Sequence, residues 1–290
     1  MTVIESSYAG QRRKLVRGAA TLTAGGLLLG AIATSTLLAS VLAGWDPLDI
    51  DIVNAGAAPS FSDGHLLGTD DLGRDILSRV LYGGRIALAI SFFGSFSGCL
   101  VGTVLAFASV AIGKKDDHFI PRLADAQLAI PNLIFAIVLV AFFGSEPAVL
   151  ALTITLATWV LPFRIARASF ASTLTQPYVE ASRMAGLSIL EIARHHLTPV
   201  LLPQLAVTMS IGFSTALILV SSLGYLGLGP QPPAPDWGRM VAEAQGQIGL
   251  AWWASVFPGL AIVLTLVGSQ LFGDGVAEIL SLSSVKERDA

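Results

Sequence analysis

Long apolar segments without charged residues dominate this chain, and their pattern predicts membrane-spanning helices. Six stretches lack Asp, Glu, Lys and Arg: Gly18–Gly44, Ile86–Gly113, Ala126–Ser145, Pro147–Phe163, His195–Pro235 and Ala244–Gly273. A helix that crosses the hydrocarbon core needs about 20 mostly apolar residues, so the fifth span is placed at Leu202–Leu226. Backbone groups in lipid must be paired internally, and these runs lack the alternation of barrel strands. The pattern predicts an all-α membrane protein with six transmembrane helices.

The positions of the basic residues predict how these spans are oriented. With the N terminus inside, 13 of the 17 Lys and Arg residues lie in cytoplasmic segments and 4 lie outside. Cytoplasmic loops carry such an excess, so both termini are expected in the cytoplasm. The chain then divides into a tail (1–17), a first helix (18–44), an outer segment (45–85), a five-helix core (86–275) and a second tail (276–290). The first span is too long for a signal peptide and is read as an uncleaved anchor.

The amino-acid composition agrees with a membrane protein and excludes an intrachain disulfide. Hydrophobic residues make up 53% of the chain, charged residues 13%, and the mean hydropathy is +0.72, which excludes a soluble globular protein. The single cysteine, Cys99, allows no intrachain disulfide. It lies in an apolar run, where a free cysteine behaves as a small hydrophobic residue.

The longest polar island between spans, Thr175–Pro203, predicts two short helices joined by a turn. Pro177 suits a first helical turn, and Gly186 suits the left-handed residue after a helix end. Ser188–Glu191 predicts a capping box for the second helix, and Pro199 is expected to end that helix. On this pattern alone, the island is also compatible with an ordinary connecting hairpin.

The outer segment 45–85 is acidic and predicts a short amphipathic helix. It contains seven aspartates and three arginines, a net charge of −4. Thr69 is the predicted N-cap, with Asp75 and Arg79 paired one turn apart. Apolar residues recur at helical spacing: Leu72, Ile76 and Val80.

Small and polar residues within the spans indicate helix contacts. Gly94, Gly98 and Gly102 recur every four residues, which lets helix backbones approach closely, within this chain or with a partner. Gln127 and Asn132 fall in the first turns of the third span, and both pathway lining and hydrogen bonding between helices remain open.

The Pro-rich stretch 230–235 predicts extended backbone after the fifth span. Trp237, Trp252 and Trp253 are expected at the membrane interface, where indole rings are enriched.

The chain lacks the motifs that would make it an energy source or an enzyme. It contains neither G-x-x-x-x-G-K-[ST] nor H-E-x-x-H, and the adjacent His195 and His196 point to different helix faces without a third ligand nearby. No metal site is therefore predicted. The spans hold essentially no charged residues for ion coupling, so active transport would need energy from a partner.

Three stretches together resemble one family, the inner-membrane permease subunits of ATP-binding-cassette importers, in particular the C-type subunit of dipeptide, oligopeptide and nickel systems. Thr175–Pro203 resembles the EAA loop of the family, with Ser182 in place of an alanine and Thr198 in place of a leucine. The residues that match or surround this motif are Tyr178, Glu180, Ala181, Ser182, Gly186, Leu187 and Pro199. The outer signature contains Gly68, Thr69, Asp70, Gly73, Arg74, Asp75, Arg79 and Arg85. A further signature contains Gly227, Gly229, Pro232, Pro233, Trp237 and Gly238.

The resemblance implies a type I importer permease fold with a cytoplasmic coupling helix, in a bacterial cytoplasmic membrane. It implies four kinds of partner: a second homologous permease subunit, two ATPase subunits or domains, an extracytoplasmic substrate-binding protein and membrane lipid, with no nucleic acid. The permease itself would be non-catalytic and without a cofactor, because the ATPases bind ATP and magnesium. Peptides are the expected substrate, and nickel, haem or another small solute is the alternative.

Two other classes of function are weighed against this one. A secondary transporter or channel is disfavoured by the uncharged spans. A membrane-embedded enzyme is disfavoured because the residues supply no nucleophile–base pair or metal cluster.

Overall fold

The computed structural model describes residues 2–62, 64–112 and 119–286, and it is all-α, as the apolar pattern predicts. The α-helices of this part of the chain are α1 (Thr2–Leu37), α2 (Ala39–Leu42), α3 (Ile76–Ile112), α4 (Phe119–Leu128), α5 (Asn132–Phe143), α6 (Pro147–Thr158), α7 (Val160–Thr173), α8 (Pro177–Met184), α9 (Ile189–Ile192), α10 (Thr198–Tyr225), α11 (Trp237–Glu243) and α12 (Trp253–Lys286). Short 3₁₀ turns lie at Ile52–Asn54 and Ala244–Gln247, and a π turn lies at Ala193–Leu197. The predicted end of the second span at Gly113 and the tail residues 287–290 lie outside the described residues.

The long helices account for the predicted spans. Among the described residues, four segments are long and apolar enough to cross a membrane: Val16–Leu37, Ile76–Ala111, Ile189–Tyr225 and Trp253–Leu280. The pairs α4–α5 and α6–α7 pass the same test together, with bends of 98° and 41°. Counting each bent pair as one span gives six.

The third span is broken rather than continuous from Ala126. Helix α4 ends at Leu128, and α5 starts at Asn132 after a 98° bend. Pro131 stands at the N-cap of α5 and keeps its neighbour Ile130 out of helical geometry, which explains the break. Gln127 therefore belongs to α4, and Asn132 begins a separate helix.

The predicted amphipathic helix with Thr69 as its N-cap is wrong. The backbone turns sharply between Gly68 (φ +78°) and Gly73 (φ +76°), a left-handed conformation that interrupts any helix. The helix starts at Ile76, where the Asp75 carboxylate accepts a hydrogen bond from the Ser78 N–H (2.8 Å). It then runs straight into the second span, so the predicted boundary at residue 85 falls within α3.

Pro199 begins the fifth span instead of ending the second short helix. Residue 198 keeps right-handed helical geometry (φ −59°, ψ −47°), and Pro199 occupies the first turn of α10. Its ring is accommodated because the preceding five residues form the wider π turn, in which Thr198 donates from Oγ1 to the Ala193 carbonyl (3.0 Å). From Ile189 to Tyr225 the chain thus forms one continuous helical segment.

The glycine stripe of α3 packs within the subunit. A Cβ atom on Gly94 would lie 2.7 Å from the Ile154 side chain, and one on Gly98 would collide with Thr158 Oγ1. A Cβ atom on Gly102 would collide with the Trp159 carbonyl oxygen. The stripe therefore lets α3 approach α6 and α7, which decides between the two kinds of interface that the sequence left open.

We expect Gly98→Val to destabilise the protein by about 1–3 kcal/mol, because the added side chain overpacks the contact with α6. The measurement is thermal unfolding of the detergent-solubilised protein. Gly259→Val is the matched control, since a Cβ atom on Gly259 in α12 would meet nothing within 4 Å. Equal unfolding temperatures for the two variants would contradict the close packing of α3.

The first helix also packs on the core through small residues. A Cβ atom on Gly25 would overlap the backbone of α12 at Phe272, and one on Gly275 would overlap the backbone of α1 at Leu22. At the other end of α1, Arg85 donates from Nε to the Thr36 carbonyl (2.7 Å) and from Nη2 to the Leu37 carbonyl (2.8 Å). A cation at a helix C-terminus is favourable, so Arg85 fastens α1 to α3.

Candidate functional site

The loop between the fourth and fifth spans, here called the α8–α9 loop (Thr175–Pro203), has the two predicted short helices. Pro177 occupies the first turn of α8. After α8 the chain forms a Schellman turn, in which Gly186 N–H bonds to the Arg183 carbonyl (3.0 Å) and Leu187 N–H to the Ser182 carbonyl (3.1 Å). Gly186 has φ +87°, as its predicted left-handed position requires.

The capping box predicted at the start of α9 is present. Glu191 N–H donates to Ser188 Oγ (3.3 Å), and Ser188 N–H donates to Glu191 Oε2 (2.7 Å). This reciprocal pair satisfies backbone donors that the four-residue helix could not satisfy itself. Local hydrogen bonds therefore fix both the end of α8 and the start of α9 in the α8–α9 loop.

One residue of α8 anchors it and the others are presented outward. Val179 is fully buried, whereas Glu180, Ala181 and most of their neighbours are exposed. Met184 is 80% exposed, an unusual position for a large apolar side chain beside charged residues. Leu190 in α9 is 70% exposed. Exposed apolar side chains clustered on one loop indicate a protein-contact surface.

The two outer signatures, about 150 residues apart in sequence, meet in one structure that we call the α3–α11 junction (residues 65–85 and 235–254). Trp237 in α11 donates from Nε1 to the Val80 carbonyl of α3 (2.8 Å). Trp253 at the start of α12 donates from Nε1 to the Thr69 carbonyl (3.1 Å). Both indole rings are buried, at 1% and 7% exposure, so both pack inside the protein instead of facing lipid. Trp252, at 50% exposure, remains compatible with the predicted interfacial position.

Buried charges hold the junction together. Asp70 accepts hydrogen bonds from the guanidinium groups of Arg74 (2.7 Å) and Arg79. Both arginines also bond to Glu243 in α11, each at 3.2 Å. Asp75 contacts His65 (3.0 Å), so the predicted pairing of Asp75 with Arg79 is wrong. The turn at Gly73 brings Asp70 under both arginines, which a regular helix through Thr69–Arg79 would not do.

Glycines of the third signature let α11 lie directly on α10. A Cβ atom on Gly238 would overlap the Ser221 carbonyl, and one on Gly229 would lie 2.6 Å from Gly224. Gly227 turns the chain after α10 with φ +78°. The stretch that follows contains the Pro232–Pro233 peptide bond, which is cis.

Asp236, which the sequence reading passed over, caps α11. Its Oδ2 accepts a hydrogen bond from Arg239 N–H (2.8 Å), and the side chain is buried against Gly224. Burial raises the pKa of Asp236 from an ordinary 3.8 to about 6, because a buried carboxylate loses its hydration. The cue in the sequence was the aspartate directly before a helix start, a preferred N-cap residue.

We expect Asp236→Asn to remove a pH dependence of stability. Between about pH 4 and 6 the folded protein holds a proton on Asp236 that the unfolded chain has lost, so the wild type loses stability as pH rises through this window. The shift corresponds to about 3 kcal/mol. Asparagine also caps helices, so the variant should be the more stable form at pH 7 and match the wild type near pH 4 in thermal unfolding. Parallel pH profiles would contradict the buried charge.

The polar residues predicted in the third span have different surroundings. Gln127 donates to the Leu156 carbonyl and accepts from Trp159 Nε1 (2.7 Å), which favours hydrogen bonding between helices for this residue. Asn132 lines a cavity of about 100 Å³ together with Thr158 and Thr215.

A second, more open groove lies beside α10. Its volume is about 370 Å³, and its lining includes Leu133, Ser221, Tyr225 and Ile262. The Ser221 hydroxyl is buried and has no hydrogen-bond partner among the described residues. Sequence reasoning missed this groove, because its lining comes from four separate helices.

Within the described residues, no group of three or more His, Cys, Asp or Glu side chains is close enough to hold a metal ion. His195 contacts the Glu191 carbonyl through Nδ1 (2.9 Å), as a residue at the end of a helix does.

Comparisons with known proteins agree with this architecture. The family described as binding-protein-dependent transport system inner membrane component matches residues 98–283. The dipeptide transport system permease protein DppC of Haemophilus influenzae is 36% identical over 255 residues, which cover 86% of each chain. The di/tripeptide transport system permease protein DppC of Pseudomonas aeruginosa is 37% identical over 228 residues, covering 77% of this chain and 75% of that protein.

A solved structure shows the same fold. The chain is similar to a subunit of the MetNI methionine ABC transporter in an inward facing conformation, with a TM-score of 0.56 and 20% identity over 69% of this chain and 95% of that chain. The matched family region holds the α8–α9 loop, α10 and α11, and the curated relatives match most of the chain. This chain therefore belongs to the family of binding-protein-dependent transport system inner membrane components, the permease subunits of ATP-binding-cassette importers.

Proposed function

We propose that this chain forms, with a second homologous permease subunit, the pathway by which a bacterial cell takes up dipeptides or short oligopeptides. Separate ATPase subunits supply the energy, and an extracytoplasmic binding protein delivers the substrate. The peptide substrate is supported by the names of the relatives, which include dipeptide and di/tripeptide permeases. A further relative, 34% identical, is named as a glutathione transport permease, and glutathione is itself a small peptide.

The α8–α9 loop carries this proposal. It presents Glu180 and Met184 to a partner, while its capped turn and its continuity with α10 connect that surface to a membrane span. A short, internally braced helix can pass on the movement of a bound ATPase as a rigid-body displacement. We propose that Tyr178, Ala181 and Leu187 belong to the same contact.

The proposed orientation places this loop and both termini in the cytoplasm. The support is the excess of Lys and Arg, 13 against 4, in the segments on the side of the loop. The α3–α11 junction then faces outward, where its rigid, charge-linked structure provides a platform for the binding protein. Asn132 and the groove beside α10 are the proposed pathway-lining features within the subunit.

The substrate and the energy source are tested together with the reconstituted complex. The chain is purified with its native neighbours, placed in proteoliposomes and supplied with binding protein and a radiolabelled dipeptide. We expect uptake that requires ATP on the side of the α8–α9 loop and that unlabelled dipeptide suppresses. Uptake without functional ATPase would support a secondary transporter. Competition by nickel or haem but not by unlabelled peptide would show that the transported substrate is not a peptide.

Gly186 provides a matched pair of variants for the same assay. Its φ of +87° strains any β-branched residue, whereas a Cβ atom there meets nothing within 4 Å. Valine in this left-handed conformation costs about 1.4 kcal/mol or more, which corresponds to a factor of ten. We therefore expect Gly186→Val to reduce uptake at least about tenfold. Asparagine tolerates left-handed geometry, so Gly186→Asn should retain most of the activity. Equal activity of the two variants would contradict a coupling role that depends on this turn.

A further inference from the structure

A side-chain contact joins the exposed helix α8 to the π turn that begins the fifth span. Ser182 Oγ in α8 lies 2.9 Å from His196 Nε2 in the π turn. The imidazole ring also packs against Tyr178, one turn earlier in α8, with ring centroids 5.4 Å apart. These are contacts across the turn at Gly186, between two helices that the backbone joins only through residues 185–188.

The hydrogen-bond partners of Ser182 determine which atom donates. Its hydroxyl also lies 2.9 Å from the Tyr178 carbonyl oxygen, which can only accept. A serine hydroxyl has one hydrogen to donate and two lone pairs to accept with. The hydrogen goes to the carbonyl, so His196 donates from Nε2 to Ser182. Neutral histidine with the proton on Nε2 and protonated histidine can both make this bond.

The two ends of this contact differ in how firmly they are held. Next to His196, Leu197 is 2% exposed and belongs to the cluster that includes Phe163 and Phe170. On α8, Val179 is the one residue that the structure describes as buried, and the rest of the helix is exposed or half-exposed. The contact therefore ties a weakly held helix to a firmly packed one, directly at a π turn, a feature often found at functional sites.

One partner of this contact differs from the EAA pattern that the loop resembles. Ser182 stands where the EAA pattern has an alanine, which has no side-chain acceptor for His196. The departure therefore adds a specific contact to the loop.

We propose that Ser182 and His196 form a latch that makes α8 and α10 move as one body, so that both are positioning residues for the transmission of ATPase movement to the fifth span. This proposal rests on the proposed function. The latch determines how much substrate is moved per ATP hydrolysed, and it is not needed for the chain to fold or for the ATPases to bind.

The latch is tested with the complete transporter in proteoliposomes, by measuring dipeptide uptake and ATP hydrolysis in the same sample. We expect His196→Ala and Ser182→Ala each to lower the uptake-to-hydrolysis ratio about fivefold, the value of one hydrogen bond. The double variant should match His196→Ala, because that single variant already lacks the bond to Ser182. His196→Gln, whose Nε2 can donate from a similar position, should recover most of the ratio.

The results separate the latch from the proposed function. If the wild type takes up dipeptide with ATP but all four variants keep its ratio, the latch is refuted and the importer function stands. Additive losses in the double variant, or a His196→Gln variant no better than His196→Ala, would also refute it. If the wild type itself shows no ATP-driven uptake, the proposed function fails before the latch is tested. Unfolding temperatures measured in parallel identify any variant whose loss comes from misfolding.

Discussion

Glu180→Lys is expected to lower ATP-driven uptake at least about 30-fold, while the subunit still inserts into the membrane. Glu180 is exposed on α8, and its carboxylate has no hydrogen-bond or ion-pair partner among the described residues. Reversing its charge therefore leaves the subunit's own structure intact and acts at the proposed contact. Charged residues at the centre of an interface commonly cost about 2 kcal/mol or more when changed, which corresponds to this factor.

Two controls make the Glu180 result specific. Glu180→Gln keeps the shape of the side chain and should lose less than the charge reversal. Arg183→Glu changes a charge one turn later on the same helix and reports whether any charge reversal on α8 has the same effect. Uptake that survives Glu180→Lys would show that this residue is not part of the coupling contact.

Trp237→Ala is expected to destabilise the subunit by about 3–5 kcal/mol. The indole is 1% exposed, packs with Ile76 and Leu217, and donates to the Val80 carbonyl at 2.8 Å. Removal leaves a cavity at the centre of the α3–α11 junction and takes away the hydrogen bond to the Val80 carbonyl. The measurement is thermal or denaturant unfolding in detergent, together with the amount of subunit recovered from membranes.

Trp252→Ala is the matched control for this prediction. Trp252 is half-exposed, so its truncation should change stability by less than about 1 kcal/mol. Similar effects of the two substitutions would place Trp237 at the lipid interface, as its sequence context alone suggests, and would contradict its role as the core of the junction.

The sequence predicts best where neighbouring residues determine the structure. The proline, glycine and capping-box signals of Thr175–Pro203 act within one or two turns, and the structure has α8, a left-handed Gly186 and the capping box as predicted. The spans are similarly evident, because lipid requires long apolar helices whatever their neighbours are. Pro199 is the local exception, since the π turn before it removes the conflict that a proline normally creates.

Long-range contacts explain what the sequence did not predict. Periodicity alone extends the helix of α3 back to Thr69, but the pairing of Asp70 with two arginines and of His65 with Asp75 stabilises a compact turn instead. Tryptophan is a residue type that is enriched at membrane interfaces, and Trp237 is buried only because α3 packs against it. The part played by Glu243 was not evident, because its partners lie about 165 residues earlier in the chain.

The most direct test of the central claim is whether the α8–α9 loop contacts the ATPase. Cys99 is the one cysteine in the sequence, so a Cys99→Ser background allows single cysteines to be placed at will. Met184→Cys lies on the loop at 80% exposure, and Leu250→Cys provides a similarly exposed site (85%) within the α3–α11 junction. A short thiol–amine crosslinker is added to the purified transporter. We expect a crosslink to the ATPase from residue 184 and none from residue 250; no product from residue 184, or equal products from both, would contradict the coupling role of the α8–α9 loop.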